Sequence, residues 1–192
     1  MTTPRILAFA GSTRAGSWNK KLAAIAAEGA RAAGGEVTLI DLRDFPLPLY
    51  DGDLEEAEGL PEKAVELKRL FNEHHGLLLA CPEYNSSITA VLKNAIDWVS
   101  RSAPGEPSLA AFTGKVAGLV SASPGQLGGL RGLVTVRSIL SNIGVLVVPD
   151  QVAVGKAHEA FDEQGALKDA RQAQRVQRVA AEVVRVAGRL LG

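Results

Sequence analysis

The chain has 192 residues, 46% hydrophobic and 22% charged, which suits one soluble globular domain spanning residues 1–192. Its 21 Lys and Arg balance its 21 Asp and Glu, giving a formal net charge of zero. Without a basic surplus, nucleic acid is excluded as a partner, and the one cysteine, Cys81, excludes an internal disulfide framework.

In chain order, residues 5–11 form a short apolar run ending in glycine, the form of a buried strand. Residues 19–33 read as a helix with Leu22, Ile25, Ala26, Gly29, Ala30 and Ala33 on one face, stopped by Gly34-Gly35. Residues 36–42 are a second strand and residues 45–59 a loop rich in proline and acidic residues. Residues 60–75 give a second helix, 76–82 a third strand and 89–102 a third helix. Residues 115–121 are strand four, 130–142 helix four and 145–149 strand five. A loop with Gly155 and Gly165 leads to the last helix, 168–191. Strands alternate with helices and are continuously apolar, so the expected fold is α/β, a parallel sheet covered on both faces. Five such strands fit the three-layer, doubly wound order 2-1-3-4-5.

In such sheets the ligand lies beyond the carboxyl ends of the strands, so the loops after strands one, three and four are the candidate site. The first reads GSTRAGSWN, residues 11–19. Gly11 and Gly16 permit a tight turn, Ser12, Thr13 and Ser17 offer hydroxyls, Arg14 a forked cation, and Asn19 a helix cap or ligand contact. An anion at a helix N-terminus needs these parts; a plain strand-to-helix turn uses several of them too. The Gly-x4-Gly spacing is that of a triphosphate loop, but Ser17-Trp18 stands where Lys and Ser/Thr are required. The dinucleotide pattern Gly-x-Gly-x-x-Gly fails at Thr13. A monophosphate fits better, and FMN is the one this fold carries at its switch point.

The second loop and its helix read CPEYNSSITAVLKNAIDWVSR, residues 81–101. This stretch resembles the Pro-Glu-Tyr-Asn-x-Ser…Leu-Lys-Asn-Ala-Ile-Asp-Trp signature of the NAD(P)H-dependent FMN reductases, a family that includes quinone, azo-dye and chromate reductases. The first loop resembles the family's Gly-Ser-x-Arg-x-x-Ser-x-Asn pattern at Gly11, Ser12, Arg14, Ser17 and Asn19. The third, SASPGQLGGLR at residues 121–131, resembles its Ser-Pro-Gly-x-x-Gly-Gly-x-Arg turn. The segment 160–169 also matches, so the resemblance covers nearly the whole chain.

The resemblance implies a flavodoxin-like fold. It implies Ser12, Arg14, Ser17 and Asn19 at the FMN phosphate, with Gly11 in the turn. Pro82, Glu83, Tyr84 and Asn85 would wrap the ring, largely through backbone groups, Ser87 would also bind the cofactor, and Ser121, Ser123 and Gly125 would close the other side. It further implies hydride transfer from NADPH or NADH to FMN and on to a small-molecule acceptor in a ping-pong cycle, by a homodimer or homotetramer with helix 89–102 near the interface. No side chain is expected to be catalytic, since the flavin carries the chemistry. Thr89 stands where the family often has proline and is expected to cap the helix; Leu133 stands where glutamine is common.

The alternative is a flavodoxin-like electron carrier without nicotinamide activity. Such carriers are acidic, and the zero net charge counts against it. Cys81, closing an apolar strand, reads as a core residue. His74-His75 read as cations near a helix C-terminus, and no metal site is expected. The last helix has Arg171, Arg175, Arg178, Arg185 and Arg189 in one stripe with Glu182 among them, a solvated face, and valines towards the other side. The N-terminus lacks the pattern of a signal peptide and no run reaches the ~20 apolar residues of a membrane span. The expected location is therefore the cytoplasm.

Overall fold

The computed structural model describes residues 2–103 and 105–192. Its central sheet has five parallel strands: β1 (Arg5–Ala10), β2 (Glu36–Asp41), β3 (Gly76–Ala80), β6 (Val116–Ala122) and β7 (Leu146–Val154). Their spatial order is β2-β1-β3-β6-β7. Counting only these strands, that is the expected order 2-1-3-4-5, and the fold is flavodoxin-like. A two-stranded ribbon, β4 (Glu83–Tyr84) with β5 (Ser87–Ile88), stands apart from the sheet.

Strand β1 shows why three layers form. Successive side chains point to opposite faces, so Ile6, Ala8 and Ala10 enter one core and Leu7 and Phe9 the other. Helices α1 (Trp18–Ala32) and α7 (Ala170–Leu190) cover the first face. Helices α3 (Glu62–Glu73), α4 (Ala90–Val99) and α5 (Leu130–Asn142) cover the second. The α7 side is lined by small residues, which lets the helix lie close. A Cβ on Gly118 would come within 2.7 Å of Val183, and one on Gly76 within 2.9 Å. Val176, Val179 and Val183 of α7 fill this face, so its arginine stripe is turned to solvent, with Arg185 paired to Glu182.

Four local expectations change. The 45–59 loop contains a short helix, α2 (Gly52–Glu58), and a four-residue helix, α6 (Ala157–Ala160), follows β7. Both are too short to show a period. Strand β7 runs on through Pro149 to Val154 instead of stopping at the proline. It is an edge strand, where a missing N–H costs no ladder bond on the open side. The ribbon was not visible as alternation because each of its strands has two residues. Its turn is made by Asn85 (φ 53°) and Ser86 (φ 65°), the paired left-handed conformations of a two-residue hairpin.

Candidate functional site

The three loops converge at the carboxyl ends of β1, β3 and β6. The first is anchored by the Gly11 N–H, which donates to the Ala80 carbonyl at 2.9 Å. At its far end Ser17 is the N-cap residue of α1, with extended backbone, yet its side chain caps no helix N–H. The Trp18 and Asn19 N–H groups of the first turn and the Ser17 hydroxyl are left to face the space in front of the helix. Ser12 Oγ accepts from the Arg14 N–H at 3.3 Å, which turns the loop back on itself. Arg43 braces it from β2's end, its guanidinium donating to the Thr13 carbonyl at 2.6 and 3.1 Å.

Asn19, expected at the phosphate or as a cap, acts as a strut. Its Nδ2 donates to the Ala122 carbonyl at 2.8 Å and its Oδ1 accepts from the Ala122 N–H at 3.0 Å. It is 3% exposed and ties α1 to the end of β6.

The second loop is held at both ends. Thr89 Oγ1 donates to the Gly11 carbonyl at 2.7 Å and accepts from the Leu92 N–H at 3.2 Å, so it caps α4 as expected and also binds the first loop. Glu83 borders the cleft with its carboxylate tied to α5. Its carboxylate meets Arg131 Nη2 at 2.9 Å and accepts from the Gly132 N–H at 3.0 Å, in the first turn of α5. A negative group there complements the helix dipole. Tyr84, at the tip of the ribbon, is 55% exposed.

The third loop packs tightly on β6. Gly129 has φ 91°, and a Cβ there would lie 1.9 Å from Ser121 Oγ. Ser121, expected beside the ring, is fully buried and donates to the Cys81 carbonyl at 2.6 Å. Its side chain fixes β6 to β3 and cannot touch a ligand. Ser123 Oγ accepts from the Gly125 N–H at 3.3 Å, closing the turn.

Between the loops lies a cleft of about 50 Å³. Of the residues named from the sequence, Ser12, Arg14, Ser17, Asn19, Pro82, Glu83, Tyr84 and Ser123 border it. Trp18, Ala122 and Pro124 also border it and were missed. Trp18 follows directly on the cap residue, and that adjacency was the available signal. Gly11, Asn85, Ser87, Ser121 and Gly125 lie off its wall: Gly11, Ser121 and Gly125 shape the loops, while Asn85 and Ser87 belong to the ribbon.

Cys81 is buried, and burial pushes its thiol well above the ordinary range, so it is inert. The histidines are a correction. His74 lies buried beyond the end of α3, with Nδ1 on the Leu70 carbonyl (2.6 Å) and Nε2 on the Thr38 hydroxyl (2.8 Å). Burial lowers the pKa of both His74 and His75, so neither is the cation expected at neutral pH. Among the described residues no group of three or more His, Cys, Asp or Glu is placed to hold a metal, and no helix is long and apolar enough to cross a membrane.

A family model described as NADPH-dependent FMN reductase matches residues 4–159, a span that includes all three loops. The chain belongs to the NADPH-dependent FMN reductase family. It is thus an oxidoreductase, a flavoprotein whose cofactor is FMN and whose electron donor is NAD(P)H. It is 37% identical over 166 residues to an NAD(P)H-dependent FMN reductase of Pseudomonas aeruginosa, covering 86% of this chain and 85% of that one. It is 33% identical over 144 residues to a quinone reductase of Escherichia coli K12, covering 75% and 73%. The flavoenzyme NAD(P)H:(acceptor) oxidoreductase of Paracoccus denitrificans superposes with a TM-score of 0.80 at 26% identity, covering 97% of this chain and 98% of that one.

The donor set fits FMN. The Ser17 hydroxyl, the free N–H groups of the first α1 turn and Arg14 suit a phosphate. The one carboxylate bordering the cleft, Glu83, is already neutralised by Arg131 and the Gly132 N–H. A cleft of about 50 Å³ is of phosphate size and far below the several hundred Å³ of a site enclosing a whole cofactor.

Proposed function

We propose that residues 1–192 form one FMN-binding unit that oxidises NADPH or NADH and reduces quinones, in a ping-pong cycle where donor and acceptor use the same open face in turn. The names of its relatives support quinones as acceptors; azo compounds, chromate and free flavin are further acceptors of the same reach. The carrying observation is the set of unengaged donors in the first loop, Ser17 and Arg14 above all, facing the ribbon that presents Tyr84.

In this reading Ser12, Arg14, Ser17 and the first N–H groups of α1 hold the phosphate. The ring lies outside the closed cleft, along Pro82, Tyr84 and Asn85 on one side and Ser123 on the other. Bound FMN supplies the redox chemistry, taking a hydride from the nicotinamide and passing two electrons to the acceptor. The chain positions it: Thr89 and Asn19 lock the loops to one another, and Glu83 locks the ribbon to α5. No side chain is needed to move a proton.

The enzyme works as a homodimer or homotetramer in the cytoplasm. Leu49, 78% exposed, supports an apolar contact on the α4 side. Asn94 and Trp98 of α4 pin its neighbour by donating to the Pro48 carbonyl, each at 2.8 Å. Light scattering on the purified protein tests the assembly.

The activity is tested by recording the visible spectrum of the purified protein, then adding NADPH and NADH separately without oxygen. A flavin spectrum that bleaches supports the reductase, and the faster donor sets the specificity. A flavin spectrum that persists with both donors points to an electron carrier. Absence of flavin after incubation with FMN overturns the site.

A further inference from the structure

A cavity of about 210 Å³ opens at the amino ends of the strands, opposite the flavin cleft. Its polar wall is Asn72, His74, His75, Thr113 and Lys115, and its apolar wall is Ala187, Leu190 and Leu191. Lys115 is only 8% exposed. Its ammonium donates to the His74 carbonyl at 2.6 Å and pairs with no carboxylate among the described residues. An ammonium has three N–H groups, so two remain. His75 Nδ1 accepts from the Arg5 N–H at 3.0 Å, so the neutral ring carries its proton on Nε2.

The charged neighbours are basic. Arg5 lies close enough to act on Lys115, His74 and His75 alike. Two acids lie on this side: Glu73 of α3, whose carboxylate pairs with Arg69 at 2.8 Å, and Glu106, which accepts from Asn72 of the cavity wall at 2.9 Å and is paired with Lys68. Helix α7 gives the wall only apolar side chains and its own carbonyl end. The buried Lys115 ammonium and the half-buried His75 ring thus face the cavity with no carboxylate bonded to either among the described residues, and a buried charge ordinarily has one.

We propose that this cavity is a second ligand site. It takes a small organic carboxylate whose oxygens meet the Lys115 ammonium and the His75 Nε2–H while its apolar tail lies against Leu190 and Leu191. Burial, with Arg5 nearby, brings the Lys115 amine down to about 8. A bound carboxylate favours the protonated amine, so binding weakens as pH rises through that value.

The test uses the full chain loaded with FMN, titrated with sodium butyrate, butyramide and sodium phosphate and followed by NMR. The expected result is saturable binding of butyrate, with shifts at Lys115 and His75 and none from butyramide. Lys115→Met should weaken it about tenfold or more, the loss of a charged hydrogen bond. Leu191→Glu, on a half-buried residue at the helix end, should do the same by placing a like charge at the mouth, and it decides the matter if the lysine variant fails to fold. Phosphate binding in preference to butyrate would show that the apolar wall is unused and overturn the carboxylate assignment. No saturation, or equal affinity in parent and Leu191→Glu, would show that Lys115 serves only the carbonyl ends around it.

Discussion

Asn19 and Ala122, 103 residues apart, exchange two hydrogen bonds: the side-chain amide of one pairs with both backbone groups of the other, at 2.8 and 3.0 Å. The pair is buried, so removing the amide leaves an N–H and a carbonyl without partners. Each such group costs about 1–3 kcal/mol. Asn19→Ala is expected to lower stability by at least that much in urea unfolding. FMN retention should fall with it, because α1 and β6 carry two walls of the cleft. An unchanged midpoint would mean that water replaces the amide.

Arg14 and Ser17 border the cleft, and among the described residues their side chains have no hydrogen-bond partner. Arg14→Ala with Ser17→Ala should weaken FMN binding by about 10–100-fold, the range for losing charge-assisted hydrogen bonds, with the urea midpoint nearly unchanged. Fluorescence titration of apoprotein with FMN measures this. A double variant that keeps FMN as tightly as the parent removes the phosphate assignment.

Gly129 combines a left-handed backbone with a Cβ position 1.9 Å from Ser121 Oγ. Gly129→Ala therefore suffers both steric overlap and strain, and should lose about 3 kcal/mol or more. Adding Ser121→Ala removes the hydroxyl but not the φ of 91°. Partial recovery in the double variant, read by thermal unfolding, is the expected outcome; full recovery would show that the backbone angle costs nothing.

His74 and His75 give the fold an acid limit. Burial lowers both pKa values in the folded state, while in the unfolded chain they return to about 6.5. Between the folded and unfolded values the unfolded state binds more protons, so stability falls as pH drops below about 6.5 and is largest above it. Urea unfolding at pH 7 and pH 5 should show the loss, and His75→Gln should shrink it. A midpoint identical at both pH values would contradict neutral buried histidines.

Much of this was legible in the chain. Apolar runs of strand length alternating with 3.6-period helices determined the layers and the strand order. They placed the three loops at one end of the sheet, because such a pattern has one economical way to cover both faces. Thr89 as a cap, Cys81 as core and the outward arginine stripe of α7 followed from local rules of the same kind. The direction in which site side chains face was decided only by the tertiary structure. Ser121 and Ser123 are two residues apart on one motif, yet one is sealed against Cys81 and the other borders the cleft. Glu83 is turned to α5 by Arg131, 48 residues on, and the histidines are neutral because the ends of β1, β2 and α3 enclose them. Period and motif record which face of an element is apolar. A polar side chain's partner lies on another element, and only packing those elements together selects it.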